Sequence, residues 1–387
     1  MISRILNIPL KYEKSFFLLG PRGTGKTYWV KESMPNALYI NLLDSEQYLT
    51  LAAQPNRIEE FIPPNFADWI IIDEIQKIPL VLNEVHKLIE EKKYKFVLTG
   101  SSARSLHKKG VNLLAGRAIV YYLYPLTVQE LGANFDLRRS LHYGHLPAIL
   151  SEPNPEAYLK TYINTYLKEE VQQEGLTRNV GSFARFLEIA SFSQGSVLNI
   201  TQIARDVGVQ QKVATSYFEI LDDLLLAYRL PVFNKRAKRK IINHPKFYFF
   251  DAGIYSALKP KGLIDSEEEL EGIALETLFL QELRAINEYY QLDYQISYWR
   301  TQTGIEVDFI LYGPSGFYAF EIKRARNVSK HDAKNLERFA EEYPEAKLYL
   351  LYGGSQKYYF GKIIAQSITE TLHNLPELIK KHLPMVP

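Results

Sequence analysis

One short segment near the start of the chain has the residue types that are needed to hold a phosphate group. Residues 20–27 read Gly-Pro-Arg-Gly-Thr-Gly-Lys-Thr and fit the pattern G-x-x-x-x-G-K-[ST]. Glycines let backbone N–H groups turn toward an anion in conformations that a Cβ atom obstructs. Lys26 would reach the β- and γ-phosphates of ATP, and the Thr27 hydroxyl would hold Mg²⁺. The predicted ATP-binding residues are Gly20, Pro21, Arg22, Gly23, Thr24, Gly25, Lys26 and Thr27.

The flanking sequence supports this interpretation over an ordinary glycine-rich turn. An apolar run at residues 15–19 predicts a strand, and residues 28–33 can open a helix. Strand, loop and helix in that order place the phosphate at a helix N-terminus, where the backbone dipoles favour an anion.

Two further apolar runs end in polar side chains. Residues 68–74 predict a buried parallel strand that ends in Asp73 and Glu74. At the carboxyl edge of an open α/β sheet, Asp73 would bind Mg²⁺ and Glu74 would polarise the attacking water. An ordinary acidic turn is the alternative. Residues 95–102 predict a third strand, after which Thr99, Ser101 or Ser102 would sense the γ-phosphate or merely form a polar turn.

These motifs together resemble an AAA-type P-loop ATPase. Residues 113–118 and 124–127 resemble one group of such enzymes, the prokaryotic ATPases fused to a winged helix and a C-terminal restriction-endonuclease-like (PD-(D/E)xK) domain. The resemblance implies ATP hydrolysis with ATP and Mg²⁺ as cofactors and with Lys26, Glu74 and Arg117 as catalytic residues. Arg117, if it is not a plain surface arginine, would complete a neighbouring subunit's site. A homo-oligomer, such as a hexameric ring, is therefore expected by analogy.

Length and composition narrow the class of protein. A chain of 387 residues predicts two or three domains. No apolar run approaches the roughly 18 residues of a membrane span, and no signal segment is evident, so we expect a cytoplasmic protein without a membrane partner. The absence of cysteine excludes disulfides and thiolate chemistry. A formal charge of +2 means that any basic, DNA-binding face must be local.

The middle of the chain predicts a helical lid followed by a winged helix-turn-helix. Within residues 199–209, Thr201 would cap the first helix and Gly208 would permit the turn. Exposed polar residues at the start of the second helix suit contacts in a DNA groove, and a basic run would form the wing. A protein-binding scaffold and a solvated hairpin remain alternatives. The predicted DNA-binding residues are Gln210, Gln211, Lys212, Lys235, Arg236, Lys238, Arg239 and Lys240.

The last third predicts the order helix, three strands, helix and strand, which is the layout of restriction-endonuclease-like nucleases. Glu321 and Lys323 lie two positions apart and so leave the same face of a strand. Asp308 on the neighbouring strand would join Glu321 in holding Mg²⁺, with Glu276 as a further ligand. Lys323 would orient water or stabilise developing charge. The alternative is an ion pair in an inactive relative of the fold.

The predicted fold class is therefore α/β with four segments. They are a P-loop AAA-type core (1–127), a helical lid (128–195), a winged helix-turn-helix (196–258) and a restriction-endonuclease-like domain (259–387). The leading hypothesis is an ATPase that acts on DNA by remodelling, translocation or branch migration. The alternatives are an ATP-gated metal-dependent nuclease, a protein-remodelling or signalling ATPase whose nuclease-like domain only binds, and a small-molecule kinase, which the large extra domains disfavour. The choice between DNA and RNA stays open.

Overall fold

The chain divides into two compact units. A computed structural model describes residues 2–10, 14–101, 114–167, 180–234, 244–260, 262 and 266–380. One unit, called here the nucleotide unit, comprises Arg4–Pro125 and Ile220–Leu226. The other, called the second unit, comprises Met1–Ser3, Leu126–Glu219 and Ala227–Pro387. The predicted segments 128–195, 196–258 and 259–387 thus all fall in the second unit, apart from residues 220–226.

A five-stranded parallel sheet forms the centre of the nucleotide unit. Its strands, in the spatial order β2-β3-β4-β1-β5, are β1 (Phe16–Leu19), β2 (Leu38–Asn41), β3 (Trp69–Asp73), β4 (Lys95–Gly100) and β5 (Ile119–Tyr122). Strands β1 and β3 are buried along their whole length, as expected of a parallel sheet covered on both faces. Its α-helices are α1 (Lys26–Ser33), α2 (Ser45–Ala53) and α3 (Val81–Lys92). Because the strands are parallel, the residues that follow β1, β3 and β4 meet at one edge.

The second unit begins with helices and an antiparallel strand pair. The helices are α4 (Val128–Leu131), α5 (Leu137–Tyr143), α6 (Pro155–Thr161), which continues as a π-helix at Tyr162–Leu167, α7 (Val180–Ser191), α8 (Ile200–Val207) and α9 (Gln211–Asp223). Helix α9 ends inside the segment that belongs to the nucleotide unit. Strands β6 (Ala227–Leu230) and β7 (Lys246–Phe249) then pair antiparallel. None of the helices within the described residues combines the length and apolar character needed to cross a membrane.

The predicted cap of helix α8 was wrong. Asn199, not Thr201, is the N-cap, and its side-chain oxygen accepts the backbone N–H of Gln202 at 3.1 Å. Helix α8 already begins at Ile200, so Thr201 lies within its first turn and is exposed. Gly208 ends the helix in the left-handed region, with φ of 80°, which fits the predicted turn.

The C-terminal part of the second unit contains a six-stranded mixed sheet. Before it come α10 (Ala252–Leu258) and α11 (Glu267–Tyr289). The remaining elements are β8 (Gln295–Arg300), β9 (Glu306–Gly313), β10 (Gly316–Lys323), α12 (Lys334–Glu342), β11 (Lys347–Tyr352), β12 (Tyr358–Phe360), β13 (Ile363–Ser367), α13 (Ile368–His373) and α14 (Leu375–Ile379). The spatial order is β12-β13-β11-β10-β9-β8. The elements from α11 to β11 follow the predicted order, whereas β12 and β13 were not predicted.

Buried hydrogen bonds to Asp251 join the segment at His145 to α10. Asp251 caps α10 by accepting the backbone N–H groups of Gly253 at 2.8 Å and Ile254 at 3.2 Å. Its other oxygen accepts the backbone N–H of His145 at 2.8 Å. The segment before His145 lies very close to α10. A Cβ atom on Gly253 would lie only 2.2 Å from the carbonyl group of Tyr143. Glycine is therefore required at that position by packing.

We expect Gly253→Ala to lower the free energy of unfolding of the second unit by about 1–3 kcal/mol, because the new methyl group must push backbone aside. The matched control is Gly272→Ala in α11, where no described atom outside the helix lies within 4 Å of the added Cβ. That change should raise stability by up to about 1 kcal/mol, the helix preference for alanine. Urea denaturation of both variants measures the difference. Equal stability of the two variants would contradict the proposed close contact.

Candidate functional site

The predicted phosphate loop lies between β1 and α1, as its sequence requires. Gly23 and Gly25 have φ values of 84° and 92°, in the left-handed region that favours glycine. Gly25 is the N-cap residue of α1. A Cβ atom on Gly20 would lie 2.2 Å from the carbonyl oxygen of Leu123. The three glycines are thus needed for the shape of the loop itself.

The loop lysine is buried within this loop. The Lys26 ammonium donates to the carbonyl oxygens of Gly20 at 2.7 Å and Pro21 at 3.0 Å. These carbonyls hold the cation at the loop, where a phosphate oxygen could replace them as its partner. Arg4 braces the loop from outside, since its guanidinium donates to the carbonyl of Thr24 at 2.7 Å. The sequence carried no signal for Arg4.

Asp73 is the centre of a buried hydroxyl cluster at the carboxyl edge of the sheet. Thr27 Oγ1 donates to Asp73 Oδ2 at 2.9 Å. The hydroxyls of Thr99 and Tyr39 also contact the Asp73 carboxylate. The structure therefore brings together Thr27, Asp73 and Thr99, which the sequence analysis had singled out separately. Burial and the hydrogen bond to Asp73 raise the pKa of Tyr39, so its hydroxyl keeps its proton and remains a donor.

Glu74 follows directly, in an unusual backbone conformation for a residue with a side chain. Its φ is 62°, and its N–H donates to Thr99 Oγ1 at 3.3 Å. The side-chain amide of Gln76 contacts the Glu74 carboxylate and donates to Ser101 Oγ at 3.1 Å. Gln76 thus holds Glu74 in place, a role that sequence reasoning missed. Ser102 lies outside the described residues.

Two residues of this site, Tyr39 and Gln76, were not named in the sequence analysis because their sequence signals are weak. Tyr39 lies in the strand next to Asp73, and its hydroxyl is a polar group in a short apolar run. Gln76 lies two residues after Glu74 in a short 3-10 turn, Ile75–Lys77. Neither residue type, at either position, is specific enough to predict a site.

Arg117 lies just before β5, an edge strand of the sheet in the nucleotide unit. Its Nε group contacts the carboxylate of Glu90 on α3, and 37% of its side chain is exposed. An exposed arginine is compatible with action on a neighbouring subunit, but the ion pair with Glu90 is equally typical of a surface residue. The predicted catalytic role of Arg117 stays a prediction.

A second group of acidic side chains comes from β9, β10 and helix α11. We call Glu276, Glu306, Asp308 and Glu321 the carboxylate cluster. Phe309 on β9 pairs with Phe320 on β10, which places the preceding and following residues, Asp308 and Glu321, side by side. Lys323 donates to Glu321 Oε1 at 2.8 Å, as expected for side chains on one face of β10.

Protein donors already meet most of the cluster's oxygens. The backbone N–H of Ile322 donates to Asp308 Oδ2 at 2.8 Å, and the Tyr248 hydroxyl donates to Glu276 Oε2 at 3.0 Å. Asn335 donates to Glu321 Oε1 at 3.2 Å. Glu321 Oε2 is buried without a hydrogen-bond partner in the described part of the chain.

The sequence analysis missed Glu306 and also Lys246, a residue of β7 that lies beside the carboxylate cluster. Its ammonium lies 3.0 Å from Glu306 Oε2 and 3.9 Å from Asp308 Oδ1, and only 5% of its side chain is exposed. Burial alone would lower the pKa of Lys246, but Asp308, Glu276 and Glu306 raise it above its ordinary value. Lys246 is therefore a buried cation among carboxylates.

The predicted ligands Glu276, Asp308 and Glu321 do not form a three-carboxylate site for one divalent metal, and metal binding by fewer of them stays a prediction. Mg²⁺ requires oxygens that converge at about 2.0–2.1 Å from one point. Among the described residues, these three do not bring one oxygen each within 4.8 Å of the others; the group that does is His142, Glu267 and Glu271. In that group, Glu267 forms an ion pair with Arg138, and Glu271 forms one with Arg324.

Two carboxyl groups of the cluster are strongly perturbed. Burial, followed by the charge of Asp308, raises the pKa of Glu276 to about 8 and the pKa of Glu321 to about 8. Both carboxyl groups therefore bind their protons more tightly than an ordinary carboxyl group does.

The predicted DNA-binding residues fall into two sets. Gln210, Gln211 and Lys212 are exposed at the start of α9, as expected. The basic residues Lys235, Arg236, Lys238, Arg239 and Lys240 lie outside the described residues.

The chain is similar to known families over three consecutive regions. Residues 12–132 match the family described as an AAA domain. Residues 134–265 match a domain of unknown function (DUF8612), and residues 271–371 match another (DUF4143). The first match and the loop geometry support an AAA-type ATPase. The other two matches name no activity, so the winged helix and the nuclease-like domain remain predictions.

Individual relatives are distant. Rv2008c, an uncharacterized protein of Mycobacterium tuberculosis, is 28% identical over 359 residues, which are 88% of this chain and 77% of the relative. MJ1544, an uncharacterized protein of Methanocaldococcus jannaschii, is 23% identical over 81% of this chain and 75% of the relative. The solved structure of the Aeropyrum pernix ORC1 protein in complex with DNA aligns with a TM-score of 0.26 and 12% identity, over 63% of this chain and 86% of that chain. A TM-score this low carries no argument about function.

The shifted carboxyl groups predict how stability depends on pH. The pKa of Glu276 is about 8 in the folded chain, against an ordinary value of 4.5. Between these values the unfolded chain binds fewer protons than the folded chain, so stability falls as the pH rises from about 5 to 8. We expect Glu276→Gln, which can still accept from Tyr248, to reduce this fall by about 1–3 kcal/mol.

Thermal unfolding at pH 5.5 and pH 8.5 measures this effect. The control is Glu269→Gln, an exposed carboxylate in the same helix, which should leave the wild-type pH dependence unchanged. A fall in stability as steep in Glu276→Gln as in the wild type would show that Glu276 is ionised in the folded protein.

Proposed function

We propose that the nucleotide unit binds and hydrolyses ATP with Mg²⁺, and that the second unit applies the resulting conformational change to DNA. The observation that carries the ATPase part is the contact of 2.9 Å between Thr27 and Asp73 beside a buried loop lysine. This geometry unites the two halves of a phosphate and metal site that lie 46 residues apart.

The phosphate loop would bind the triphosphate. Its backbone N–H groups at the N-terminus of α1 favour an anion, and the Lys26 ammonium would exchange its carbonyl partners for phosphate oxygens. The Thr27 hydroxyl and the Asp73 carboxylate are oxygen donors of the kind that hold Mg²⁺. The ion would supply charge neutralisation at the β- and γ-phosphates.

Glu74 would then orient and polarise the attacking water. Its carboxylate is held by Gln76, whose amide also donates to Ser101 at 3.1 Å, so the acceptor is fixed before ATP arrives. Arg117 would stabilise charge in a neighbouring subunit's site, which requires a homo-oligomer such as a ring.

The DNA part of the proposal is supported by the start of α9. Two helices joined at Gly208 and followed by the antiparallel pair β6–β7 support the proposal of a winged helix-turn-helix. The exposed Gln210, Gln211 and Lys212 at the second helix provide donors for base edges and phosphates. The basic residues 235–240 would add phosphate contacts.

We expect Lys26→Ala to abolish ATP binding, because the loop loses its phosphate cation, whereas Glu74→Gln should retain ATP binding and lose hydrolysis by about 10²-fold or more. Calorimetry measures binding and phosphate release measures turnover. The control Lys87→Ala removes an exposed lysine on α3 and should change neither. Wild-type turnover in Glu74→Gln would remove Glu74 from the mechanism.

We expect Lys212→Ala to reduce the slope of log affinity against log salt concentration by about 1 for duplex DNA, since one phosphate contact is lost. Fluorescence anisotropy at several salt concentrations measures this slope. Lys334→Ala, an exposed lysine at the start of α12, is the matched control and should leave the slope unchanged.

Duplex, forked and four-way-junction DNA, together with duplex RNA, should be compared in the same assay. If none of them binds, the DNA part fails while the ATPase part stands. A protein-remodelling or signalling ATPase then becomes the better description.

A further inference from the structure

Lys246 needs an explanation because its charge is almost completely removed from water. A buried ammonium is tolerated only where opposite charges and hydrogen-bond acceptors surround it. Here Glu306 and Asp308 lie 3.0 and 3.9 Å from its Nζ atom, and the Tyr298 ring centroid lies 5.3 Å away.

Three cations, one of them Lys246, pair with acidic groups of the carboxylate cluster. The carboxylate cluster contributes four acidic groups, and Lys246, Lys323 and Arg300 each pair with at least one of them. Removing Lys246 would leave Asp308 without its ion-pair partner in the described residues. The ammonium thus performs the neutralisation that a metal ion performs in a metal-dependent centre.

A second, independent observation concerns the strand pair that carries Lys246. Both ends of the connection between β6 and β7 are fastened to β8. The Tyr298 N–H donates to the Pro231 carbonyl at 2.9 Å, and the Phe233 N–H donates to the Tyr298 carbonyl at 2.6 Å. At the other end, the Tyr298 hydroxyl donates to the His244 carbonyl at 2.6 Å. Lys246 completes this attachment through Glu306 on β9.

We propose that the Lys246 ammonium is the resident cation of the carboxylate cluster, and that it fastens the β6–β7 pair to the six-stranded sheet in place of a divalent metal. The cluster is then a structural junction and not a nuclease centre. The strand pair and the sheet move as one body, so a partner held by the β6–β7 pair is held by the sheet as well.

The test is to remove the Lys246 ammonium by substitution and to add Mn²⁺ as a replacement cation. In the nucleotide-free full chain, Lys246→Met should lower Tm on the order of 10 °C, because buried carboxylates lose their partner. Millimolar Mn²⁺ should restore a large part of that loss in Lys246→Met, and should do so neither in the wild type nor in Lys246→Met with Asp308→Asn. The phosphate loop is identical in all three proteins and cannot cause the difference.

Lys323→Met is the matched control, since Lys323 pairs with the same cluster but 37% of its side chain is exposed. It should show a small change in Tm and no rescue by Mn²⁺. Absence of Mn²⁺ rescue in a folded Lys246→Met protein, or equal rescue in Lys323→Met, would overturn the proposal.

A further variant covers the case in which Lys246→Met does not fold. Asp308→Asn in the otherwise wild-type chain should leave the number of bound Mn²⁺ ions unchanged. Loss of one Mn²⁺ site in that variant, or Mn²⁺-dependent DNA cleavage by the wild type that Asp308→Asn abolishes, would show that the cluster holds a metal. Neither outcome depends on whether the nucleotide unit hydrolyses ATP.

Discussion

The compensation of buried carboxylates is the constraint on which this structure depends. A carboxylate that leaves water must find donors, and those donors hold distant segments together. Asp73 gathers hydroxyls from three other segments of the nucleotide unit. Asp251 joins α10 to the chain at His145, and Asp308 joins β9 to β7 and β10. In each unit, the packing of the site follows from satisfying one buried charge.

The type of donor separates the two acidic sites. Around Asp73 the donors are hydroxyl groups, and the Thr27 hydroxyl can itself become a metal ligand when it turns its oxygen outward. Around Asp308 the partners are a backbone N–H that donates to it and the Lys246 ammonium, which forms an ion pair at 3.9 Å; neither has a lone pair to offer a cation. In the proposed function the first site exchanges its internal hydrogen bonds for Mg²⁺ and phosphate, whereas in the second a lysine of the chain itself already lies beside the carboxylates.

The two units therefore have different roles in the proposed function. The groups on which the proposed ATP hydrolysis depends lie at the carboxyl edge of the parallel sheet, where glycines, a lysine and acidic side chains converge. The second unit then contributes surfaces: the exposed start of α9, and the β6–β7 pair anchored to the six-stranded sheet. A fold that resembles a nuclease layout can serve as such a surface, because the element order sets the architecture and the side chains set the chemistry.

Local patterns in the sequence determined much of this description. The spacing of Gly20, Gly23 and Gly25 dictates the loop, since backbone conformation there depends on residues within a few positions. The same holds for the strand ending in Asp73, for Glu321 and Lys323 on one strand face, and for the turn at Gly208. The predicted N-cap of α8 was wrong because Asn199, two residues before Thr201, is also a good capping residue and takes that position.

The tertiary structure alone decided which side chains meet across the sheets. Tyr39 and Gln76 reach the Asp73–Glu74 edge, and Lys246 reaches Asp308, only because strands far apart in the chain lie side by side. A lysine or tyrosine in an apolar run has the same local pattern whether it faces water or a buried carboxylate. Partner choice is a long-range property of register and burial, and for that reason the sequence indicated Asp308 and Glu321 but not the Lys246 ammonium beside the acidic groups.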